Sequence, residues 1–148
     1  MSENKNFKPI GGVVAAELFM LDWVRNAENI IPGSGINVEL ADYASHYEED
    51  FVSDNGLVSV QHTLTLVADR QNALPWMEAE FLRRCAGEGV VAMVWLATGE
   101  VLMIGRCQRM GLEQALRLQS LNCTSGTRPR HRPTAELVLK CSDLSSAY

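Results

Sequence analysis

The residues best suited to chemistry lie around the first of three histidines. His46 stands in "DYASHYEED", next to Tyr47 and the carboxylates of residues 48–50. Carboxylates beside a histidine can bind a divalent metal or transfer protons. The run lacks the ligand spacing and the glycine of an EF-hand loop, so a solvated acidic loop is favoured over a metal or acid–base site. His62 lies on the apolar side of an alternating stretch, which favours a hydrogen-bonded core histidine.

Other motifs that carry chemistry are missing from the sequence. The glycine-rich "IPGSGI" has neither the Walker lysine nor the G-x-G-x-x-G spacing, and is interpreted as a turn before a strand. The cysteines are widely spaced, with no C-x-x-C, which favours small core side chains over zinc or redox chemistry. They are Cys85, Cys107, Cys123 and Cys141. The sequence therefore predicts no catalytic residue, no metal site, no cofactor and no enzymatic activity.

The strongest departure from ordinary composition is a basic stretch at residues 124–133, "TSGTRPRHRP". It falls between two predicted strands, so it is expected to form a hairpin loop, held extended by its prolines. Three interpretations stay open: a solvated loop, a subunit-contact arm, or a nucleic-acid contact. No aromatic residue interleaves with the arginines, which argues against stacking on single strands. The predicted interaction loop comprises Arg128, Arg130, His131 and Arg132.

An acidic counterpart for this loop is present in the same sequence. Arginines pair readily with carboxylates, within one subunit or across a subunit contact. The predicted counterpart comprises Asp42, Glu48, Glu49 and Asp50. Protein carboxylates are favoured over nucleic acid as the partner because the chain as a whole repels phosphates.

Length and composition support one soluble domain. The chain has 148 residues, 47% of them hydrophobic, with a formal net charge of −5 and a pI of about 5.2. This size is enough to bury a core without disulfides, and a general nucleic-acid binder would be basic. Residues 1–10 are predicted to be a flexible tail and residues 11–148 a single β-rich domain. The polar N-terminus predicts a cytoplasmic protein without a membrane span.

Hydrophobic periodicity predicts a mainly β (α+β) fold. Residues 57–69 alternate most clearly, and residues 12–21, 36–40 and two stretches after position 113 are further strand candidates. Residues 41–55 lack periodicity and are expected to form a surface loop or a β-excursion. Residues 74–86 predict one amphipathic helix. Residues 90–96 are apolar on both faces, which is typical of a strand between two layers.

A tight turn at Thr98–Gly99 joins the strand at residues 90–96 to a further predicted strand, so the predicted order is three strands, one helix and four strands. Helices do not alternate with strands, so a doubly wound parallel sheet is disfavoured. We expect an antiparallel β-barrel or sandwich with one helix packed on it.

This order resembles the tail-tube fold of long-tailed phages, contractile injection systems and the type VI secretion tube. The stretches that prompt the likeness are "GLVSVQHTLTLVADR", "PWMEAEFLRRCAGEG", "VWLATGEVLMIG" and "SGTRPRHRPTAELVLKCSD". The resemblance implies a non-enzymatic structural protein of a phage or prophage particle. It implies ring-shaped homo-oligomers and contacts with other phage-type structural proteins, in the cytoplasm or in an assembled particle.

Three alternatives remain at this level. The N-terminal half has fewer clear strands than a tube barrel needs, which leaves a tail-completion or neck role open. A small β-barrel could bind nucleic acid through the arginine loop. An enzyme could use His46 with the carboxylates of residues 48–50.

Overall fold

The last nine residues of "DYASHYEEDFVSD" form a strand that the sequence pattern does not clearly predict. In the computed structural model, residues 12–20, 33, 35–41, 44–105, 115–125 and 133–143 are described. The strands are β1 (Val13–Met20), β2 (Ile36–Asn37), β3 (His46–Asp54), β4 (Leu57–Asp69), β5 (Val90–Leu96), β6 (Val101–Ile104), β7 (Arg117–Thr124) and β8 (Thr134–Asp143). One 3-10 helix (Leu74–Met77) and one α-helix, α1 (Ala79–Gly87), lie between β4 and β5.

The strands form two four-stranded sheets in which all neighbours are antiparallel. The first sheet has the order β2-β1-β5-β6 and the second has the order β3-β4-β8-β7. The prediction of a mainly β fold with one helix packed on it is therefore confirmed. Within the described residues the strands take the sandwich form, with α1 against β7. Residues 1–10, the predicted tail, lie outside the described residues.

Among the residues that the structure describes, four strands precede the helix, where the pattern predicted three. The additional strand is β3, in the region predicted to be a loop or a β-excursion, and it pairs with β4 over nine residue pairs. The hairpin turns at Asn55 and Gly56, whose φ angles are +52° and +84°. Asparagine and glycine tolerate this left-handed region, so the turn can match the twist of the two strands. Pairing with β4 thus stabilises a strand whose own residues are mostly polar.

The predicted strand at residues 36–40 is shorter in the structure. Only Ile36 and Asn37 pair with β1. Beyond them the chain leaves the first sheet, and the Ala41 N–H donates to the Val67 carbonyl of the second sheet. The alternating side chains therefore mark a crossing between the sheets, with Val38 buried along the way.

The main core lies between the two sheets and the helical segment. It is built from leucines of β4 and β8, alternate residues of β5, and Trp76, Phe81 and Cys85 of the helical segment. Burial raises the pKa of the Cys85 thiol to about 12, because the thiolate would lose its hydration. The prediction that the cysteines are core side chains is confirmed for Cys85 and wrong for Cys123, which is exposed on β7; Cys141 is half-buried, and Cys107 lies outside the described residues.

Strand β5 is buried on both faces, as its sequence predicts. Val90, Ala92 and Val94 join the main core. Val91 and Met93 face the other way, in a second apolar cluster that also contains Phe19 and Ala115, with Trp95 and Met103 at its border. The first sheet therefore lies between two apolar layers.

The single predicted helix is divided at Glu78. Its backbone is extended (ψ 133°), and it separates the 3-10 helix from α1. Pro75 lies in the first turn of the 3-10 helix, where the N–H group that proline lacks would have no partner within the helix. The Trp76 N–H donates to the Ala73 carbonyl three residues earlier. Within this 3-10 helix the Trp76 side chain is buried in the main core. Gly89, with φ +94°, ends the helical segment against the Leu116 carbonyl, where a Cβ atom would lie 2.7 Å away.

The exposed side of α1 carries a small ion-pair cluster. Arg83 Nη2 and Arg84 Nε lie 2.7 and 2.9 Å from Glu80 Oε1. These hydrogen bonds lower the pKa of the Glu80 carboxyl group. In the described part of the chain, no helix has the length and apolar character needed to cross a bilayer.

Candidate interaction surface

Strand β3 divides the predicted acidic group between two faces. Successive residues of a strand point to opposite sides, so Glu48 and Asp50 are exposed on the outer face together with His46. Glu49 points to the inner face, where its side chain is only 7% exposed. The structure therefore brings together two of the predicted carboxylates. Asp42 and the arginine-loop residues Arg128, Arg130, His131 and Arg132 lie outside the described residues, so their pairing stays a prediction.

Glu49 takes part in a buried polar network with Tyr47 and His62. The Tyr47 hydroxyl donates to Glu49 Oε2 at 2.6 Å and contacts His62 Nδ1. Glu49 Oε2 lies 3.6 Å from His62 Nδ1, and His62 is 1% exposed. The predicted hydrogen-bonded core histidine is confirmed.

The network makes a testable contribution to stability. Tyr47→Phe keeps the ring but removes the hydroxyl that joins Glu49 to His62. We expect the free energy of unfolding to fall by about 1–2 kcal/mol, because two buried polar groups lose a partner. Urea denaturation measures this change. Gln61→Ala, at an exposed neighbouring position of β4, is the control and should change little; an unchanged midpoint for Tyr47→Phe would contradict the role given to the network.

A row of four side chains crosses the outer face of the second sheet. Register places Glu48 opposite Thr63, Thr63 opposite Lys140, and Lys140 opposite Arg117. The row begins with a carboxylate on the edge strand β3 and ends with two cations, Lys140 on the inner strand β8 and Arg117 on the edge strand β7. Glu48, Lys140 and Arg117 are all exposed. Sequence analysis missed Lys140 and Arg117, because only the strand order places them in line with Glu48.

The β3–β4 hairpin extends beyond the rest of its sheet. The last residue pair between β4 and β8 is Val60 with Asp143, so residues 51–59, here termed the overhang, pair only within the β3–β4 hairpin among the described residues. Phe51, Leu57 and Val58 on the overhang are 61%, 77% and 56% exposed. Phe51 and Val58 lie on the face that continues the core. The overhang is therefore an apolar projection at one end of the sandwich.

The glycine-rich stretch "IPGSGI" is held by a buried carboxylate of the same chain. Glu17 on β1 is 2% exposed. Its Oε1 accepts the Gly33 N–H at 2.9 Å and its Oε2 accepts the Gly35 N–H at 2.5 Å. These backbone donors, which a phosphate would need, are thus already bonded to the protein's own anion. The interpretation of the stretch as a structural turn agrees with this geometry.

Comparison with known proteins gives no family for this chain. No protein-family model, curated protein or solved structure matches it significantly. Among the residues that the structure describes, no three His, Cys, Asp or Glu side chains are grouped so that they could hold a metal ion.

Proposed function

We propose that this protein is a non-enzymatic structural component that assembles by joining copies edge to edge through the second sheet. Strand β3 of one copy pairs with β7 of the next. The tail-tube resemblance suggests the setting, a phage-type or prophage particle built from rings of identical subunits. The observation that carries the proposal is that the second sheet has two edges of opposite charge.

The strand order is compatible with a continuous sheet through successive copies. In the order β3-β4-β8-β7 each strand is antiparallel to its neighbour, so β7 runs opposite to β3. A simple repeat of the subunit therefore places β7 antiparallel to β3 of the next copy. Within the described residues, β3 pairs only with β4 and β7 only with β8. The edge strands of a sheet can act as templates for pairing with another chain.

Charge favours this head-to-tail joint over a symmetric one. The exposed face of β3 carries Glu48 and Asp50, whereas β7 contains no acidic residue and begins with Arg117. Joining β3 to β7 sets carboxylates against a cation. Joining β3 to β3 would set like charges against each other, which is unfavourable. A head-to-tail contact builds a ring where the rotation between copies closes and a filament where it does not.

The overhang supplies a second contact between copies. An exposed apolar patch on a soluble protein commonly marks an interaction site. Phe51 and Val58 extend the apolar face past the last residue pair between β4 and β8, and both are largely exposed among the described residues, so a second copy can cover them. We assign this contact to a second copy. The overhang directly follows the acidic part of β3, and in the proposed joint that part of β3 meets the β7 edge of the next copy, so a second copy is already close to the overhang.

The oligomeric state of the unaltered chain tests the proposal. Sedimentation velocity over a wide concentration range should show a shift from monomer to one large closed species or to growing assemblies. Electron microscopy should show rings or short stacks. A strict monomer at the highest concentrations would contradict the proposal.

The overhang contact is tested by replacing Phe51 and Leu57 with serine. Both side chains are exposed in the subunit, so the fold should keep its stability while assembly weakens by about tenfold or more, reflecting lost burial of two large apolar side chains. Light scattering measures assembly, and urea denaturation checks the fold. Leu74→Ser, at an exposed apolar position of the 3-10 helix, is the matched control and should assemble normally. Equal assembly of all variants would exclude the overhang as a contact.

A further inference from the structure

A cavity lies at the end of the second sheet from which the chain passes into the 3-10 helix. Its volume is about 460 Å³, and it is lined by Asp69, Arg70, Gln71, Leu74 and Pro133. Binding sites for small molecules commonly have volumes of about 300–1,000 Å³. Asp69 ends β4, whereas the overhang includes the start of the same strand. The cavity is therefore separate from the overhang and is free for a different role.

Backbone hydrogen bonds fix the walls of this cavity. The Arg70 N–H donates to the Pro133 carbonyl at 2.9 Å, which joins two of the lining residues. The N–H groups of Asn72 and Ala73 donate to the Asp69 carbonyl at 2.9 and 3.0 Å. Ala73 is fully buried, and the 3-10 helix begins directly after it. The backbone around the cavity is therefore preformed, so a ligand does not have to order it on binding.

Leu74 and Pro133 give the cavity an apolar part. Leu74 is 59% exposed, whereas Trp76 on the same 3-10 helix is buried in the main core. Pro133 is exposed as well. Exposed apolar surface gains free energy when an apolar group of a ligand covers it. A short hydrocarbon chain is therefore suited to this part of the cavity.

The charges of the lining select the polar end of the ligand. Arg70 is exposed, whereas Asp69 is half-buried, so the guanidinium is the charged group that a ligand first meets from solvent. A guanidinium group binds a carboxylate through two parallel hydrogen bonds. A second negative group on the ligand would be repelled by the Asp69 carboxylate, which lines the same cavity. A ligand with a single carboxylate is therefore favoured over dicarboxylates and phosphates.

We propose that this cavity binds small organic monocarboxylates that carry a short apolar chain. Arg70 binds the carboxylate, and Leu74 and Pro133 cover the chain. The proposal is independent of the assembly described above and goes beyond it by assigning a ligand site at the other end of β4. Its failure would leave the assembly proposal unchanged, because the two use different residues.

The experiment compares hexanoate with four related probes. Acetate lacks the apolar chain, hexanamide lacks the charge, adipate adds a second carboxylate, and hexylammonium reverses the charge. Saturation-transfer difference NMR observes the ligand, so it is applicable to monomers and to large assemblies of the unaltered chain alike.

We expect hexanoate to bind with a Kd on the order of 1 mM, the range open to a ligand of this size. Each of the other probes should bind at least about fivefold more weakly, because each lacks one of the two matched features or adds a repelled charge. Binding of hexanoate that does not saturate, or equal or tighter binding of any of the four other probes, would overturn the proposal.

Three variants locate the binding site on the protein. Arg70→Gln removes the charge and should weaken hexanoate binding by about tenfold while leaving hexanamide binding unchanged. Leu74→Ser should weaken the binding of both. Arg83→Gln removes the same charge from an exposed position of α1 outside the cavity, so it is the matched control and should bind hexanoate normally. All three positions are exposed, and circular dichroism checks that each variant is folded. Unchanged hexanoate binding by Arg70→Gln, or an equal loss in Arg83→Gln, would overturn the proposal.

Discussion

Replacing Glu48 with arginine is expected to prevent assembly while leaving the subunit folded. The proposed joint brings Glu48 of one copy to the β7 edge of the next, where Arg117 begins the strand. Glu48→Arg changes this attraction into repulsion across a newly formed edge. We expect each contact to weaken by about 10- to 100-fold, which corresponds to about 1.4–2.7 kcal/mol. The sedimentation profile should therefore stay monomeric at concentrations where the unaltered chain assembles.

The control for this variant lies on the same face of the same sheet. Glu136 of β8 is exposed, but β8 is an inner strand. Glu136→Arg makes the same change in net charge away from either edge and should assemble like the unaltered chain. Arg117→Glu should fail to assemble, as Glu48→Arg does. Loss of assembly in Glu136→Arg as well would indicate a general charge effect and contradict the edge-specific joint.

Replacing Glu17 with glutamine is expected to cause the largest loss of stability. Both carboxylate oxygens accept backbone N–H groups, those of Gly33 and Gly35. A glutamine side chain of the same size has one oxygen and one NH₂ group. Its NH₂ group would face one of the two N–H donors, so that donor loses its acceptor and meets a repulsive dipole. We expect the free energy of unfolding to fall by about 3 kcal/mol.

Urea denaturation of two variants tests the role of Glu17. Glu39 lies on the segment that follows β2 and is exposed, so Glu39→Gln is the matched control and should leave the midpoint unchanged. The two substitutions remove the same charge. A loss below about 0.5 kcal/mol for Glu17→Gln, the range of ordinary surface changes, would contradict the role of Glu17 in holding the glycine-rich turn.

Most of the strands and the helix can be predicted from side-chain periodicity. The prediction fails where pairing between distant segments determines the local structure. The alternation of residues 57–69 and 134–143 predicts β4 and β8 because their inner faces are mostly apolar, with His62 as the buried polar exception on β4. Strand β3 has no such pattern because most of its residues are polar. It forms a strand through its pairing with β4. The break at Glu78 depends on burying Trp76, and the early end of β2 depends on the chain crossing to the second sheet. These are tertiary effects that a local pattern does not contain.

The sequence shows which acidic residues belong to the candidate surface. It does not show which cations lie in line with them. The acidic run at residues 48–50 is evident in the sequence, but the strand period separates Glu49 from Glu48 and Asp50. The cations in line with Glu48 are 69 and 92 positions away along the chain (117 − 48 and 140 − 48). Only strand order and register place them in one row.

An equimolar mixture of the Glu48→Arg and Arg117→Glu variants tests the central claim most directly. In each variant alone, positions 48 and 117 carry charges of the same sign, so the proposed joint would set like charges together and neither variant should join to itself. In the mixture, the β3 edge of the Glu48→Arg variant meets the β7 edge of the Arg117→Glu variant, and the unaltered Glu48 and Arg117 meet at the next joint. We predict that sedimentation velocity shows monomers for each variant alone and alternating assemblies for the mixture. A mixture that remains monomeric, or a single variant that assembles as the unaltered chain does, would contradict head-to-tail joining of β3 to β7.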